Sequence, residues 1–355
     1  MNVRLIRFFN FVPILTSLSV LLLLVEARAA DFNHGTVVGT VRDAQSHEPL
    51  AFTNVFLANT TLGDAANEQG EYLLENVPTG SYQLVISRIG YKMFVTDVTV
   101  LPKKSTTVHV ELEVESIQGE EISVEAQNPR DWRRDFKEFK RQFLGESSNA
   151  KKCKILNPDV LTFERDAVAN ALRARADSIL IVENRGLGYR IEIILDQFQW
   201  SDFGGRYFVY PKYSPLDAKH ANQAKRWQAA RKHTFETSMR GFFASMAQNE
   251  FRSYQLLKYV DTPPGIPSRA MVIDSLAVST PDSSQGLQRL NYNGAMQVTT
   301  KTGQVSNLFF NYGFIDFDKR GNVYPADGIK IQGYWGLFRV ADSLPFDYWP
   351  NTEVN

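Results

Sequence analysis

Between Gly35 and Val114 the chain repeats one pattern: short runs in which every second side chain is apolar, separated by turn chemistry. In Thr107-Val108-His109-Val110-Glu111-Leu112-Glu113-Val114 the four apolar residues fall on one face of an extended strand, because side chains alternate across a sheet. Tyr82, Leu84 and Ile86 repeat the pattern, and Val37 and Val41 begin it. Shorter runs at Phe52–Leu57, Tyr72–Leu74, Phe94–Val100 and Glu121–Glu125 bring the expected total to about seven strands, the signature of a β-sandwich. Two turn signatures punctuate them, Asn67-Glu68-Gln69-Gly70-Glu71-Tyr72 and Val77-Pro78-Thr79-Gly80-Ser81-Tyr82. Gly70 accepts the positive φ of a tight turn, and Pro78 fixes φ ahead of Gly80. Gly90-Tyr91 breaks the alternation before Phe94 and marks a corner.

An ordered series of short motifs within this stretch resembles the carboxypeptidase-regulatory-like domain. They are Gly39-Thr40-Val41-Arg42-Asp43, Glu48–Val55, Asn67–Tyr72, Val77–Tyr82 and Ile89-Gly90-Tyr91. The resemblance covers about residues 35–114 and implies a transthyretin-like (prealbumin-like) sandwich. Such modules are appended to metallocarboxypeptidases and to outer-membrane nutrient transporters. They carry no catalytic residues, so the resemblance implies a scaffold or docking role. Leu62-Gly63-Asp64-Ala65-Ala66 departs from the Gly-Thr-rich strand usual at this point in the family, which leaves the local strand pairing open.

The first thirty residues read as an export signal. Arg4 and Arg7 precede an apolar core from Phe11 to Val25, and Ala27-Arg28-Ala29 supplies the small residues of a cleavage site. The apolar stretch is shorter than the ~20 residues a membrane span requires. Cleavage after Ala29 or Ala30 leaves a mature chain of about 325 residues without a transmembrane span, room for two cores. The expected location is the periplasm or the outer membrane. With Cys153 as the single cysteine, no disulfide staples the fold, and the residue reads as a small buried one. Lys plus Arg equal Asp plus Glu at 39 each, so no global field attracts nucleic acid.

Beyond Pro129, Trp132, Phe136, Phe139 and Phe143 recur at helical spacing with charges on the other faces, and Gly145 is a plausible stop. This helix is expected to dock its aromatic stripe on the second domain. Ser178–Glu183 and Tyr189–Phe198 read as strands around the turn Asn184–Gly188, and Arg206–Tyr210 as another ended by Pro211 and Pro215. Asp217 to Arg252 reads as helix, interrupted at Gly241. Short strands come after Pro263-Pro264 at Ala270–Ile273, Ala295–Thr299, Leu308–Tyr312 and Ile329–Tyr334, an α+β plan. Asn184–Ile191, Leu195, Phe198, the stretch Arg226 to Phe243, Gly333-Tyr334-Trp335, Arg339–Asp342 and Pro345 resemble a region located after the regulatory-like domain in exported Bacteroidota-type proteins. That resemblance implies an envelope setting and no activity. The organisation is therefore a signal peptide at 1–30, a sandwich at 31–128, a linker and amphipathic helix at 129–150, and an α+β domain at 151–355.

Catalytic motifs are incomplete. His233-Thr234-Phe235-Glu236 matches the start of a metallocarboxypeptidase zinc set, but no histidine lies downstream of it. His34, His47, His109 and His220 form no cluster in sequence. Gly186-Leu187-Gly188 lacks the third glycine of a dinucleotide loop, and Gly-x-Ser-x-Gly is absent. Asp316, Asp318 and Gly321-Asn322 lack the distal Glu of a calcium loop and read as a β-turn. No catalytic, cofactor-binding or metal-binding residue is assigned. Among Phe198 to Tyr213, the aromatics Trp200, Tyr207, Tyr210 and Tyr213 are candidates to face a glycan. The expected function is an exported non-catalytic envelope protein whose sandwich docks and whose second domain binds a protein or glycan partner. The alternatives are an envelope hydrolase, peptidase- or glycan-linked, and an accessory part of an outer-membrane nutrient-uptake system.

Overall fold

A computed structural model of the chain describes residues 34–115, 128–166, 170–260, 269–281, 286–325 and 327–350. The leader and the expected strand Glu121–Glu125 lie outside the described residues. The chain is mostly β, a sandwich followed by a mixed region.

The sandwich is built from β1 (His34–Asp43), β2 (Asn54–Leu57), β3 (Gly63–Ala65), β4 (Glu71–Pro78), β5 (Gly80–Ser87), β6 (Phe94–Val100), β7 (Ser105–Thr107) and β8 (Val110–Leu112). One sheet has the order β4-β1-β7 with β8 also on β1, and the other β3-β2-β5-β6. Between them lie Val37, Val41, Leu74, Leu84, Ile86 and Leu112, all buried as period two requires. Each such side chain contributes about 1.5–3 kcal/mol on burial. The atypical segment pairs normally after all: Asn54, Val55 and Phe56 oppose Ala65, Asp64 and Gly63.

The run Thr107–Val114 is not one strand. β7 and β8 both pair parallel with β1, and between them Val108 N still donates to Val38 O at 2.8 Å, but its carbonyl leaves the ladder. The Val108 carbonyl turns inward, where it accepts from Tyr72 Oη at 2.7 Å. Gly39 permits this, since a Cβ there would lie 1.7 Å from that oxygen. Val110 and Leu112 are buried as expected, whereas Val108 is half-buried and Val114 exposed beyond the last strand.

Helix α1 (Pro129–Leu144) starts at Asn128, whose side chain accepts from Arg130 N, and ends at Gly145 with φ 90°. Its stripe docks on a sheet of β9 (Cys153–Ile155), β10 (Leu161–Asp166), β11 (Ala171–Ala176), β12 (Leu180–Asn184), β13 (Tyr189–Ser201) and β14 (Gly204–Pro215). Phe139 and Phe143 are fully buried there, and the Trp132 indole donates to Leu161 O at 3.0 Å. The sheet order is β10-β11-β13-β12-β9, with β14 along the other side of β13. Pro211 does not end a strand, contrary to expectation. It sits within β14, tolerated because its backbone faces away from β13, where it only has to accept, from Asn59 N at 2.7 Å.

The expected helix 217–252 is two helices, α2 (Ala221–Glu236) and α3 (Met239–Ala247). The break falls at Thr237-Ser238, not Gly241, because Ser238 caps α3 by accepting from Gly241 N. Gly241 stays helical where a Cβ would meet Phe235 O at 2.2 Å. The remaining strands are β15 (Gln255–Val260), β16 (Arg269–Val272), β17 (Ala277–Ser279), β18 (Gln288–Asn291), β19 (Gly294–Thr299), β20 (Val305–Phe310), β21 (Phe314–Phe317), β22 (Val323–Tyr324) and β23 (Ile329–Gly333). They form two sheets, β16-β15-β19-β20-β23 and β17-β18-β21-β22. Phe242 and Phe243 of α3 fill a further core with Met296, Leu308, Ile315 and Phe317.

Candidate functional site

A cavity of about 350 Å³ lies where β14, the α2–α3 junction and residues 331–346 meet, with Asn59 of the sandwich at its rim. Its β14 wall comes from alternate residues Tyr207, Val209, Pro211 and Tyr213, which period two turns to one face. Trp335 and Phe338 supply further apolar wall. Asp342 is the one carboxylate on its lining, and with Arg339 it also lines an adjoining cavity of about 370 Å³ beside Ser147 and Asn149.

Asp342 is buried and only half satisfied. Its Oδ1 accepts from Ser147 Oγ at 2.8 Å and Asn149 Nδ2 at 3.0 Å, whereas Oδ2 has no partner. Burial raises its pKa above the ordinary carboxylate range. Nearby, Ser343 Oγ donates to Val340 O at 2.7 Å and lies 2.6 Å from Tyr213 Oη. With the serine proton engaged, Tyr213 is the donor in that pair. Burial pushes the hydroxyls of Tyr207 and Tyr213 up to about 12, so both stay neutral at ordinary pH. Arg339 donates to Phe338 O at 2.8 Å and lies over the Trp200 ring at 5.1 Å.

Arg240 holds the floor. Its guanidinium donates to the carbonyls of Arg320, Leu344, Pro345, Phe346 and Tyr348, the closest at 2.6 Å. Burial lowers its pKa, and Asp318 and Asp347 oppose that shift. The segment it clamps reaches the sandwich. Phe346 N donates to Asn59 O at 2.6 Å, and Thr61 N to Asp347 Oδ1 at 2.9 Å. On its other side the same loop joins β14 through Asn59 N to Pro211 O at 2.7 Å and Tyr213 N to Thr60 O at 2.9 Å. The outer face of the sandwich adds an apolar contact of Phe56, Ala58 and Val85 against Ile194 and Tyr210.

The four aromatics singled out in sequence do not share one surface. Tyr207 and Tyr213 line the cavity. Trp200 stacks on Phe198 beneath Arg339. Tyr210 points to the opposite face and packs against the sandwich. Asp342, Arg339 and Arg240 entered the sequence reading only within a resemblance, and Asn59–Thr61 not at all. A signal for Asp342 existed in the apolar setting Val340-Ala341-Asp342-Ser343-Leu344.

Other candidates have structural duties. His233 and Glu236 are both exposed on α2, and among the described residues no three His, Cys, Asp or Glu side chains form a metal-holding group. Asp316 pairs with Arg289 through two contacts of 2.7 Å. Asp318 closes the β21–β22 turn by accepting from Arg320 N and Asn322 N. Cys153 is buried, and burial pushes its thiol up to about 12. No helix of the described residues is long and apolar enough to cross a membrane.

Comparison with curated proteins finds no match. Several solved structures show local similarity. A candidate carbohydrate-binding protein from Bacteroides uniformis is 9% identical, covering 67% of this chain and 99% of its own at a TM-score of 0.20. A candidate membrane-associated protein of unknown function from Bacteroides fragilis is 12% identical, covering 81% and 95% at a TM-score of 0.19. The pilus 2b backbone protein of group B streptococcus is 16% identical over 23% of this chain, at a TM-score of 0.20. The chain spans less than half of that protein, 42%, and 45% of the minor pilin of Streptococcus agalactiae. At such scores these likenesses carry no functional argument. The family comparison does bear on the sandwich, because residues 37–124 match the CarboxypepD_reg-like domain. The alternating strands, their two sheets and this match agree: the chain carries a CarboxypepD_reg-like domain at residues 37–124.

Proposed function

We propose that this chain is an exported, non-catalytic envelope protein that holds a glycan in the cavity beneath Asp342, with the regulatory-like sandwich serving as its docking module. The observation that carries the reading is the half-satisfied Asp342 carboxylate in an aromatic-walled cavity of about 350 Å³. That volume lies within the range of small-ligand sites, about 300–1,000 Å³. A sugar hydroxyl donating to Oδ2 would satisfy an acceptor that is costly to leave buried and unpaired. Tyr207 and Trp335 offer apolar faces on which a sugar ring can rest. Glycoside hydrolysis generally uses a pair of carboxyl groups. The single carboxylate on this lining favours binding over the hydrolase alternative.

The test is saturation-transfer NMR of the full mature chain against a panel of neutral oligosaccharides. Binding is expected to be lost in Tyr207→Ala and weakened about tenfold in Asp342→Asn, the scale of one charge-assisted hydrogen bond. Cleavage of a bound oligosaccharide, or binding untouched by both substitutions, would sink the proposal. Export is checked separately by the intact mass of the native protein, expected to begin near Ala30 or Asp31.

A further inference from the structure

Charge in this neutral chain is concentrated in one place. Residues 130–154 hold nine Lys and Arg against four Asp and Glu, although the whole chain has a formal net charge of zero. Three of those four carboxylates are already engaged. Asp131 pairs with Arg134 at 2.9 Å, Asp135 with Arg134 and Arg165 at 3.0 and 2.8 Å, and Glu138 with Arg165 at 2.6 Å. The surplus cations line a groove of about 570 Å³ between α1 and the short turn Ala150–Lys152. Lys137, Lys140, Arg141 and Lys151 line it beside Arg134, the paired Glu138 and the remaining carboxylate Glu146, and among the described residues none of those four cations has an ion pair.

These exposed cations repel one another, and an anion in the groove would relieve that repulsion. Lys137 and Lys140, and Lys137 and Arg141, sit three and four positions apart on one helix face, where like charges repel. The α1 dipole favours cations in its last turn, which accounts for Arg141. It does not account for Lys137 and Lys140, which precede that turn, or for Lys151 on the facing turn.

The surroundings select the class of anion. α1 has no apolar stripe left for a bilayer, because Phe139 and Phe143 are fully buried and Trp132 and Phe136 pack against the same core. An interfacial helix needs that stripe free. Single-stranded nucleic acid is held by aromatic platforms as well as charge. The groove lining contains no aromatic residue. What remains suits a flexible chain of anionic groups held by charge-assisted hydrogen bonds. We propose that this groove binds an acidic polysaccharide, at a site that shares no lining residue with the 350 Å³ cavity of the proposed glycan.

Polygalacturonate is the probe, used with the full mature chain in affinity electrophoresis and titrated by light scattering. Binding is expected to weaken steeply with added salt, as exposed charge contacts do. The triple variant Lys137→Glu, Lys140→Glu, Lys151→Glu, none of whose positions lines either cavity at Asp342, should bind at least about tenfold more weakly. A charge-matched control, Lys104→Glu, Lys225→Glu, Lys330→Glu, alters exposed lysines elsewhere and should change affinity less than about twofold. The melting temperature of each variant reports folding independently. Equal loss in the control, absence of binding at low salt, or tighter binding to phosphatidylglycerol vesicles or single-stranded DNA would overturn the assignment.

Discussion

Asp342 has one oxygen held by Ser147 and Asn149 and the other unpartnered, so its charge is costly in the folded state. Burial raises its folded pKa above the ordinary value of 3.8. The folded chain therefore keeps a proton that the unfolded chain has already released. The stability tied to this group is fully present below the ordinary value and is lost as pH rises through the raised one. Asp342→Asn retains an acceptor for Ser147 and has no charge to bury. The variant should exceed the native chain in urea midpoint at neutral pH, and the two should converge below about pH 4. A gap that stays constant with pH would contradict this. Arg240 shows what residue-level reading misses. In Ser238-Met239-Arg240-Gly241 it looks like any helical arginine, yet its donors reach five carbonyls, four of them more than a hundred positions away. Nothing local encodes those partners, which exist only once the chain is folded.

Elements with a strong period were legible, and their interruptions were not. The stripe Trp132–Phe143 and its Gly145 stop come directly from helix geometry, whereas the Asn128 cap was not read. So do the buried alternate positions of β1 and β5 from the pleat of a strand. The interruptions depend on partners from elsewhere. The Val108 carbonyl leaves the ladder for Tyr72, and Pro211 is tolerated because its backbone faces away from β13 and only accepts there. The register of β8 has a direct test in the full chain. Val110→Asp places a carboxylate inside the sandwich and should cost more than about 3 kcal/mol, through lost packing and charge burial. His109→Asp, one position away and exposed, should cost less than about 1 kcal/mol. Thermal melts decide it, and similar losses for both substitutions would show the facing to be wrong.

Across the whole molecule the sandwich is anchored rather than loosely tethered, and a trace of this was present in its strands. A sheet covered on one face alternates, but Val55-Phe56-Leu57-Ala58 and Leu84-Val85-Ile86 are apolar without interruption. Such runs belong to strands buried on both faces. Phe56 and Val85 point away from the sandwich core and meet Ile194 and Tyr210. Sequence could supply the run but not the surface that covers it, which belongs to a hairpin over a hundred residues later. Phe56→Ala should therefore cost about 3–5 kcal/mol in denaturant unfolding of the full chain, as for a core phenylalanine. Phe52→Ala, four positions earlier and exposed, should stay within about 0.5 kcal/mol. Equal effects would mean that the sandwich face is uncovered. The seam at Asn59–Thr61 has a further consequence, one of timing. Its contact between Thr61 and Asp347 spans 286 positions. A chain made from its N-terminus can form the sandwich and lay it on β14 early, yet the second side of that seam has to wait for Phe346 and Asp347. Closure of the seam is thus a late event in the life of each molecule, and a chain interrupted before Phe346 would hold its first module by one side only.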